Sequence, residues 1–366
     1  MTTVSINAPS KSYDVVIGKG LLNTCGDKIA EVCGVSSQSK AYIITDDNVA
    51  KLYHKTVNSS LKLNDFSSSV KTLEAGERSK NFKNYHECLK RFTEKNLIRS
   101  DIAVALGGGV VGDLTGFAAS TYLRGIKFVQ IPTTLLSMVD SSVGGKTAIN
   151  IGDSRTHGGK NQVGTFYQPD IVICDYDTLK TLSDYIFADG MAEVIKHAII
   201  RSEDLFQILH ENKITATCDK IEDVIKRNVI IKRDIVAEDE RDTGIRQLLN
   251  FGHTEAHGIE KCSNYSISHG SAVAIGMVIA SRGAFGMNLC SEDCYKQVLD
   301  MVKRYNLPSK CDFTSEQLIS AAFSDKKRIG DSIALVVPEK IGHCYLKTFS
   351  MNEMARFIRI GMGEES

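Results

Sequence analysis

The chain has 366 residues, 42% of them hydrophobic, with 44 basic and 44 acidic side chains. That length suffices for two domains with separate cores, and a formal net charge of zero excludes a bulk pull toward nucleic acid or a membrane surface. Ten cysteines without a Cys-x-x-Cys, no apolar leader in MTTVSINAPSKSYDVVIG, and an apolar run at Ala272 to Ala280 too short to cross a bilayer together predict a reduced, cytoplasmic protein.

In chain order, the first half alternates short β-branched runs with helical patterns: SYDVVIG, KAYIITDD, a helix near Asn84 to Lys95, DIAVALGGG, KFVQIPTT and DIVICD. This alternation predicts an α/β region with a parallel sheet covered by helices. From GMAEVIKHAII onward the apolar period is mainly helical, and SIALVVPEKIGHCYLKTF reads as a late hairpin. The change of pattern places one boundary, giving domains 1–184 and 185–366.

After the strand ending at Leu106, Gly107, Gly109 and Gly112 satisfy G-x-G-x-x-G and lead into a helix. Glycines there let the backbone approach a pyrophosphate at a helix N-terminus. The acidic residue expected some 20 positions later is replaced by KFVQIP, and the motif lies a hundred residues into the chain. The fragment therefore favours a dinucleotide through an unusual topology. The earlier strand AYIIT ends in Asp46, Asp47 and Asn48, which suit ribose hydroxyls or an ordinary polar turn.

The middle segment IPTTLLSMVDSSVGGKTAIN contains Thr133, Thr134, Asp140 and Lys146, and GGKNQVG adds Lys160 and Asn161. Lysines among glycines and hydroxyls are a phosphate-binding composition. A P-loop is excluded, because its first glycine would fall on Asp140.

Glu193, Lys196 and His197 stand at i, i+3 and i+4, on one helix face. Lys232, Arg246 and Asn250 precede His253; Arg246 and His253, seven apart, are expected on one side of a helix, with a guanidinium suited to a carboxylate or phosphate. The run EDERD reads as solvated surface. Three of the nine histidines, His253, His257 and His269, fall within seventeen residues. With Glu193 they offer four ligands to a catalytic Zn²⁺ site that needs three and keeps one position open. Any one of these histidines could equally cap or pack a helix. The fourth group is available to a substrate.

Together these strings resemble the 3-dehydroquinate synthase family. The segments GGGVVGDLTGFAASTYLRG, IPTTLLSMVDSSVGGKTAIN, GKNQVGTFYQP, GMAEVIKHAII, LLNFGHTEAHGIE, ISHGSAVAIGM and DKKR carry the likeness from about residue 45 to 330. The resemblance implies an N-terminal Rossmann-like α/β domain, a mainly α-helical C-terminal domain, and an active site in the interdomain cleft. It implies conversion of 3-deoxy-D-arabino-heptulosonate 7-phosphate to 3-dehydroquinate and phosphate, with NAD recycled in each turnover. Metal ligands fall on Glu193, His253 and His269, for Zn²⁺ by default, with Co²⁺ or Fe²⁺ served by the same set.

NAD contacts fall on Asp46, Asn48, Glu77, Lys80, Gly109, Val110, Val111, Gly112, Asp113, Thr133 and Thr134, with Asp140, Lys146, Lys160, Thr178, Leu179, Lys180 and Thr181 nearby. Substrate groups fall on Asp140, Lys146, Asn161, Lys196, Lys232, Arg246, Asn250, His257 and one of Lys326 or Lys327; of these, Asp140, Lys146, Asn161, Lys196 and His257 are the catalytic candidates. Arg124 corresponds to an arginine that reaches a neighbouring subunit's site, which implies a homodimer. Two features depart from the family: INIGDSRTHGGKN is about four residues longer than the usual loop, and Glu255 stands where a small or apolar residue is usual.

Rival activities are another sugar-phosphate cyclase, of the 2-epi-5-epi-valiolone synthase or amino-dehydroquinate synthase type, and a metal-dependent polyol dehydrogenase. The valiolone-type substrate lacks a carboxylate for Lys232, Arg246 and Asn250. A dehydrogenase would need fewer cations and would accumulate NADH.

Overall fold

The computed structural model describes residues 1–34, 39–152, 159–323, 328–329 and 332–364. The chain opens with β1 (Thr2–Ala8), β2 (Lys11–Gly18), α1 (Cys25–Cys33), β3 (Lys40–Asp46), α2 (Asp47–Leu63), β4 (Ser67–Leu73) and α3 (Phe82–Glu94). Then come β5 (Ile102–Gly107), α4 (Gly109–Thr121), β6 (Lys127–Pro132), β7 (Lys146–Ile151), β8 (Gly159–Phe166) and β9 (Ile171–Asp175). The remainder is α5 (Asp184–Arg201), α6 (Glu203–Glu211), α7 (Ile221–Glu238), α8 (His253–Cys262), α9 (His269–Gly286), α10 (Glu292–Arg304), α11 (Ser315–Phe323), β10 (Arg328–Ile329), β11 (Ser332–Lys340), β12 (His343–Ser350) and α12 (Met351–Met362). Among the described residues no helix is long and apolar enough to cross a membrane.

Two compact units result. The first comprises Met1–Leu182 and Ala216–Glu240, the second Ser183–Thr215 and Arg241–Ser366. The pattern change at 184 divides the chain once; the compact units divide it three times, because α7 returns to the first.

In the first unit a seven-stranded sheet has the order β1-β2-β9-β6-β5-β3-β4. The β1–β2 hairpin is antiparallel and every other pairing is parallel. Alternation along the strands makes two cores. Ile43, Val104 and Ile131 face Ile29 and Leu61, whereas Tyr42, Ala103 and Phe128 face Phe92 and Leu114. The parallel strands therefore read as continuous apolar runs, since both faces are covered.

Carboxylates hold α7 at both ends. Glu222 accepts from Thr2 Oγ1 at 2.8 Å and Tyr176 OH at 2.9 Å, and the terminal ammonium lies 3.4 Å away. Glu240 accepts from the Ser10 N–H at 3.1 Å, from the Ser10 hydroxyl, and from Gln168 Nε2 at 2.8 Å. This corrects the reading of EDERD as solvated surface: Glu240 is 7% exposed and ties α7 to the β1–β2 turn.

The second unit is helical around α9, with a three-stranded sheet of order β10-β11-β12. The late hairpin is present as β11–β12. Helix α9 is apolar on all sides and buried from Gly270 to Ser281, as a central helix must be. Its contact with α8 is made at backbone distance. A methyl on Gly276 would lie 2.0 Å from the Gly252 carbonyl oxygen, and Gly252 has φ +72°, which favours glycine.

Replacing Gly276 by Ala should lower unfolding free energy by about 1–3 kcal/mol, despite the gain in helix propensity. Gly258→Ala, whose methyl would meet nothing nearer than 3.4 Å, should be neutral or stabilising. Urea unfolding of both variants measures the difference, and coincident midpoints would disprove the close-contact argument.

Candidate functional site

In the second unit, the starts of two helices are brought to one carboxylate. His253 is the first residue of α8, His269 the first of α9, and Glu193 lies within α5 with no exposed surface. His269 Nε2 is 3.3 Å and His253 Nε2 3.6 Å from Glu193 Oε1. One ligand atom from each of the three lies within 4.8 Å of the others. Lys196, 1% exposed and one turn along α5, pairs with the other Glu193 oxygen.

The far nitrogens are also engaged. His253 Nδ1 lies 3.2 Å from the Phe251 carbonyl oxygen, and His269 Nδ1 lies 3.3 Å from Glu260 Oε1. In the neutral ring, an acceptor at Nδ1 places the proton there and leaves the Nε2 lone pair on the Glu193 side. Burial, helped by Lys196, holds the His253 imidazolium well below its ordinary range. Burial also opposes charge on His269, but Glu193 and Glu260 outweigh it and raise the group to about 9. Two imidazole nitrogens and a carboxylate, all at one point, fit a divalent ion with an open fourth position.

His257 is exposed and stands outside this group; its ring is 5.7 Å from that of His253. Sequence spacing had put Arg246 and His253 on one helical face, and the structure corrects this. Ile245–Asn250 is a separate 3-10 turn, and Phe251 and Gly252 break the backbone before α8 begins. Arg246 is nonetheless buried, and Asn250 is half-buried.

In the first unit, the six mutually parallel strands follow the order β4-β3-β5-β6-β9-β2, and the crossovers after β3 and after β5 run in opposite directions, so the progression reverses between β3 and β5. Ligands of open α/β sheets bind at such a reversal, beyond the carboxyl ends of the strands. Asp46 ends β3 and Asn48 follows it, and Gly109 to Asp113 form the first turn of α4 after β5. This accounts for a glycine motif deep in the chain: it follows β5, the fourth parallel strand in chain order, beside the reversal.

The other candidates follow neighbouring strands. Glu77 and Lys80 come after β4, Thr133 and Thr134 after β6, and the Thr178–Thr181 turn after β9. The buried Thr133 hydroxyl has no hydrogen-bond partner among the described residues, as expected of a group awaiting a ligand. Asp46 also caps α2, accepting from the Asn48 and Val49 N–H groups at 3.0 and 2.9 Å. Val111 and Leu179 are buried, which leaves their main chain for any ligand contact.

Lys80 Nζ binds Asp113 and, at 2.6 Å, Asn161 Oδ1. Burial raises the Asp113 carboxyl against the pull of Lys80. Asp140 lies in a π-helical turn, Ser137–Ser141, and accepts from Lys232 Nζ of α7 at 2.5 Å. Such turns recur at functional sites. Lys146 is exposed at the start of β7, and Lys160 and Asn161 begin β8. Exposed Lys180 bonds Asp177, and Thr181 bonds Tyr53. Arg124 is exposed with φ +65°, following Leu123 at +50°. Lys326 and Lys327, and most of the Gly152–Gly159 loop, lie outside the described residues.

Residues 70–189 match the family model described as 3-dehydroquinate synthase N-terminal, and residues 190–328 match 3-dehydroquinate synthase C-terminal. A 3-dehydroquinate synthase from Clostridium kluyveri is 41% identical over 362 residues, covering 98% of each chain. The chain belongs to the 3-dehydroquinate synthase family.

Solved relatives agree in fold. The 2-epi-5-epi-valiolone synthase of Streptomyces hygroscopicus subsp. jinggangensis, solved with NAD+ and Zn2+, superposes with a TM-score of 0.86 at 26% identity, covering 97% of this chain and 98% of that one. A 2-deoxy-scyllo-inosose synthase, solved with carbaglucose-6-phosphate, NAD+ and Co2+, gives 0.85 at 22% identity, covering 98% and 99%.

Sequence reasoning missed two carboxylates of this 3-dehydroquinate synthase family member. Glu260, seven residues after His253 and thus two turns along α8, meets His269; that spacing was the available signal. Asp189, one turn before Glu193, accepts from Ser271 N–H at 2.9 Å and Ser268 Oγ at 2.5 Å, satisfying the first turn of α9. Nothing local in the sequence pairs residues some eighty apart. A methyl on Gly270 would lie 2.0 Å from the Asp189 carbonyl oxygen, so α5 and the start of α9 touch at the backbone.

Asp189→Ala should cost about 1–2 kcal/mol of stability, the range of a lost helix cap. Denaturant unfolding of the metal-free protein tests it; an unchanged midpoint would mean that Asp189 does not secure α9.

Proposed function

We infer that the chain converts 3-deoxy-D-arabino-heptulosonate 7-phosphate to 3-dehydroquinate and inorganic phosphate, using NAD and a divalent metal ion. The observation carrying this reading is the meeting of His253 and His269 at Glu193 in a chain of this family. Glu193, His253 and His269 would hold the ion, with Zn²⁺, Co²⁺ or Fe²⁺ served by the same donors. When bound, the ion supplies Lewis-acid polarisation of substrate oxygens. Lys196 compensates the Glu193 charge, and Glu260 and the Phe251 carbonyl keep the two imidazoles aimed.

NAD would lie along the carboxyl edge of the parallel strands. The first turn of α4, Gly109 to Asp113, would present its leading N–H groups, those of Gly109, Val110 and Val111, to the pyrophosphate, and Asp46, Asn48 and Glu77 offer acceptors to ribose hydroxyls. Thr133, Thr134, Lys80, Lys160 and the Thr178–Thr181 turn complete its surroundings. When bound, it supplies reversible hydride transfer that makes a neighbouring C–H acidic enough for phosphate loss and is regenerated within the turnover.

On the substrate, Lys232, Arg246 and Asn250 are assigned to the carboxylate, with Asp140 fixing the Lys232 ammonium. Lys146, Asn161, His257 and one of Lys326 or Lys327 are assigned to phosphate. Holding both anionic ends restricts the ring to one orientation. Arg124 would reach the site of the second subunit in a homodimer; it is exposed in the α4–β6 connection. A cytoplasmic location accords with a small soluble substrate.

With NAD, Zn²⁺ and the heptulosonate phosphate, the protein should release one phosphate per product without net NADH. Steady NADH accumulation at 340 nm would indicate a dehydrogenase instead. His253→Ala and His269→Ala should each weaken Co²⁺ binding by more than the about 10–100-fold typical of outer-shell changes, whereas His257→Ala should retain one ion per chain. Metal analysis showing loss in His257→Ala and retention in His253→Ala would overturn the ligand assignment.

A further inference from the structure

The β7–β8 pairing is regular from Lys146↔Phe166 to Ile149↔Val163, then resumes at Ile151↔Gly159. One residue of β7, Asn150, therefore faces three of β8: Lys160, Asn161 and Gln162. A bulge of this kind re-aims side chains and is frequent beside active sites. At its centre Asn161 takes φ +55°, a left-handed conformation that asparagine tolerates better than most residues.

The side chain of Asn150 secures that conformation. Its Oδ1 accepts from the Asn161 N–H at 2.8 Å. Its Nδ2 donates to Glu77 Oε1 at 2.8 Å, and its own N–H donates to the Lys80 carbonyl oxygen at 2.9 Å, where Asn81 and Asn150 form a parallel bridge. Lys80 Nζ closes the circuit by donating to Asn161 Oδ1 at 2.6 Å. All these groups belong to the first unit.

We propose that Asn150 is a positioning residue for the reaction: its amide locks the Glu77 carboxylate with one end and the Asn161 bulge with the other. Glu77 Oε1 holds the Asn150 donor, which leaves Oε2 for the dinucleotide. Asn161 cannot move without disturbing the β4–α3 connection that carries Glu77 and Lys80. Binding of NAD and placement of the phosphate-holding asparagine are thereby coupled through a single side chain. The proposal rests on the assignments above, in which Glu77 serves NAD and Asn161 the substrate.

The test is a polarity swap, read by calorimetric titration of NAD. Asn150→Asp turns the donor facing Glu77 into an acceptor, and NAD affinity should fall about tenfold or more. In Asn150→Asp/Glu77→Gln the donor is restored from the other side. That double variant should bind NAD at least about fivefold more tightly than the product of the two single effects allows. Asn150→Ala, assayed by phosphate release at saturating NAD, should raise KM for the heptulosonate phosphate, since the Asn161 N–H loses its acceptor. Multiplicative single effects in the swap, or a lowered melting temperature with NAD affinity and KM unchanged, would reduce Asn150 to a fold-keeping residue and overturn the proposal. A wild-type chain that takes up no NAD would overturn the parent assignment as well.

Discussion

Everything in the second unit depends on three helices meeting at backbone distance. The start of α8 and the middle of α9 touch at Gly252 and Gly276; α5 and the start of α9 touch at Asp189 and Gly270. Side chains larger than hydrogen would hold these backbones apart, and the two helix-leading histidines would no longer reach Glu193. The imidazoles are then fixed by acceptors behind them, the Phe251 carbonyl and Glu260. Buried Glu193 is compensated by Lys196 on its own helix, so the pair is set by local geometry. A lone buried carboxylate would be costly; the ammonium beside it offsets that cost.

The first unit solves a different problem with sheet topology. Reversal of the strand progression between β3 and β5 opens a place for a ligand at the carboxyl edge. Around it, short loops after five parallel strands contribute one or two polar groups each. Lys80 illustrates the economy of the arrangement, since a single ammonium joins Asp113 of α4 to Asn161 of β8. Neither contact is local in sequence.

Much of this was legible beforehand. Alternating runs such as KAYIITDD and DIAVALGGG announce buried parallel strands, because residues covered on both faces must all be apolar. The candidate ligands were legible as residue types, three histidines in a short window with Glu193 upstream, one group more than a metal site needs. Its partners Asp189 and Glu260 were not, since a carboxylate's task depends on which helix start lies opposite. Two local inferences failed for physical reasons. Arg246 and His253 were placed by helical spacing, but Gly252 with its positive φ ends one helix before the next begins. EDERD was read as solvated from composition alone, yet Glu240 finds Ser10 and Gln168 to compensate its burial. The strand order was not readable at all, because pairing partners are chosen by packing across long separations.

The return of α7 to the first unit affects how the molecule is made. Ala216–Glu240 leaves the ribosome only after Ser183–Thr215, a stretch belonging to the other unit, has emerged. Until then the β1–β2 hairpin lacks the helix that Glu222 and Glu240 anchor to it. Domains ordinarily complete themselves one after another during synthesis. Here the N-terminal body stays unfinished while its successor has begun, so the nascent chain must keep an apolar face from aggregating over the stretch from Ser183 to Glu240.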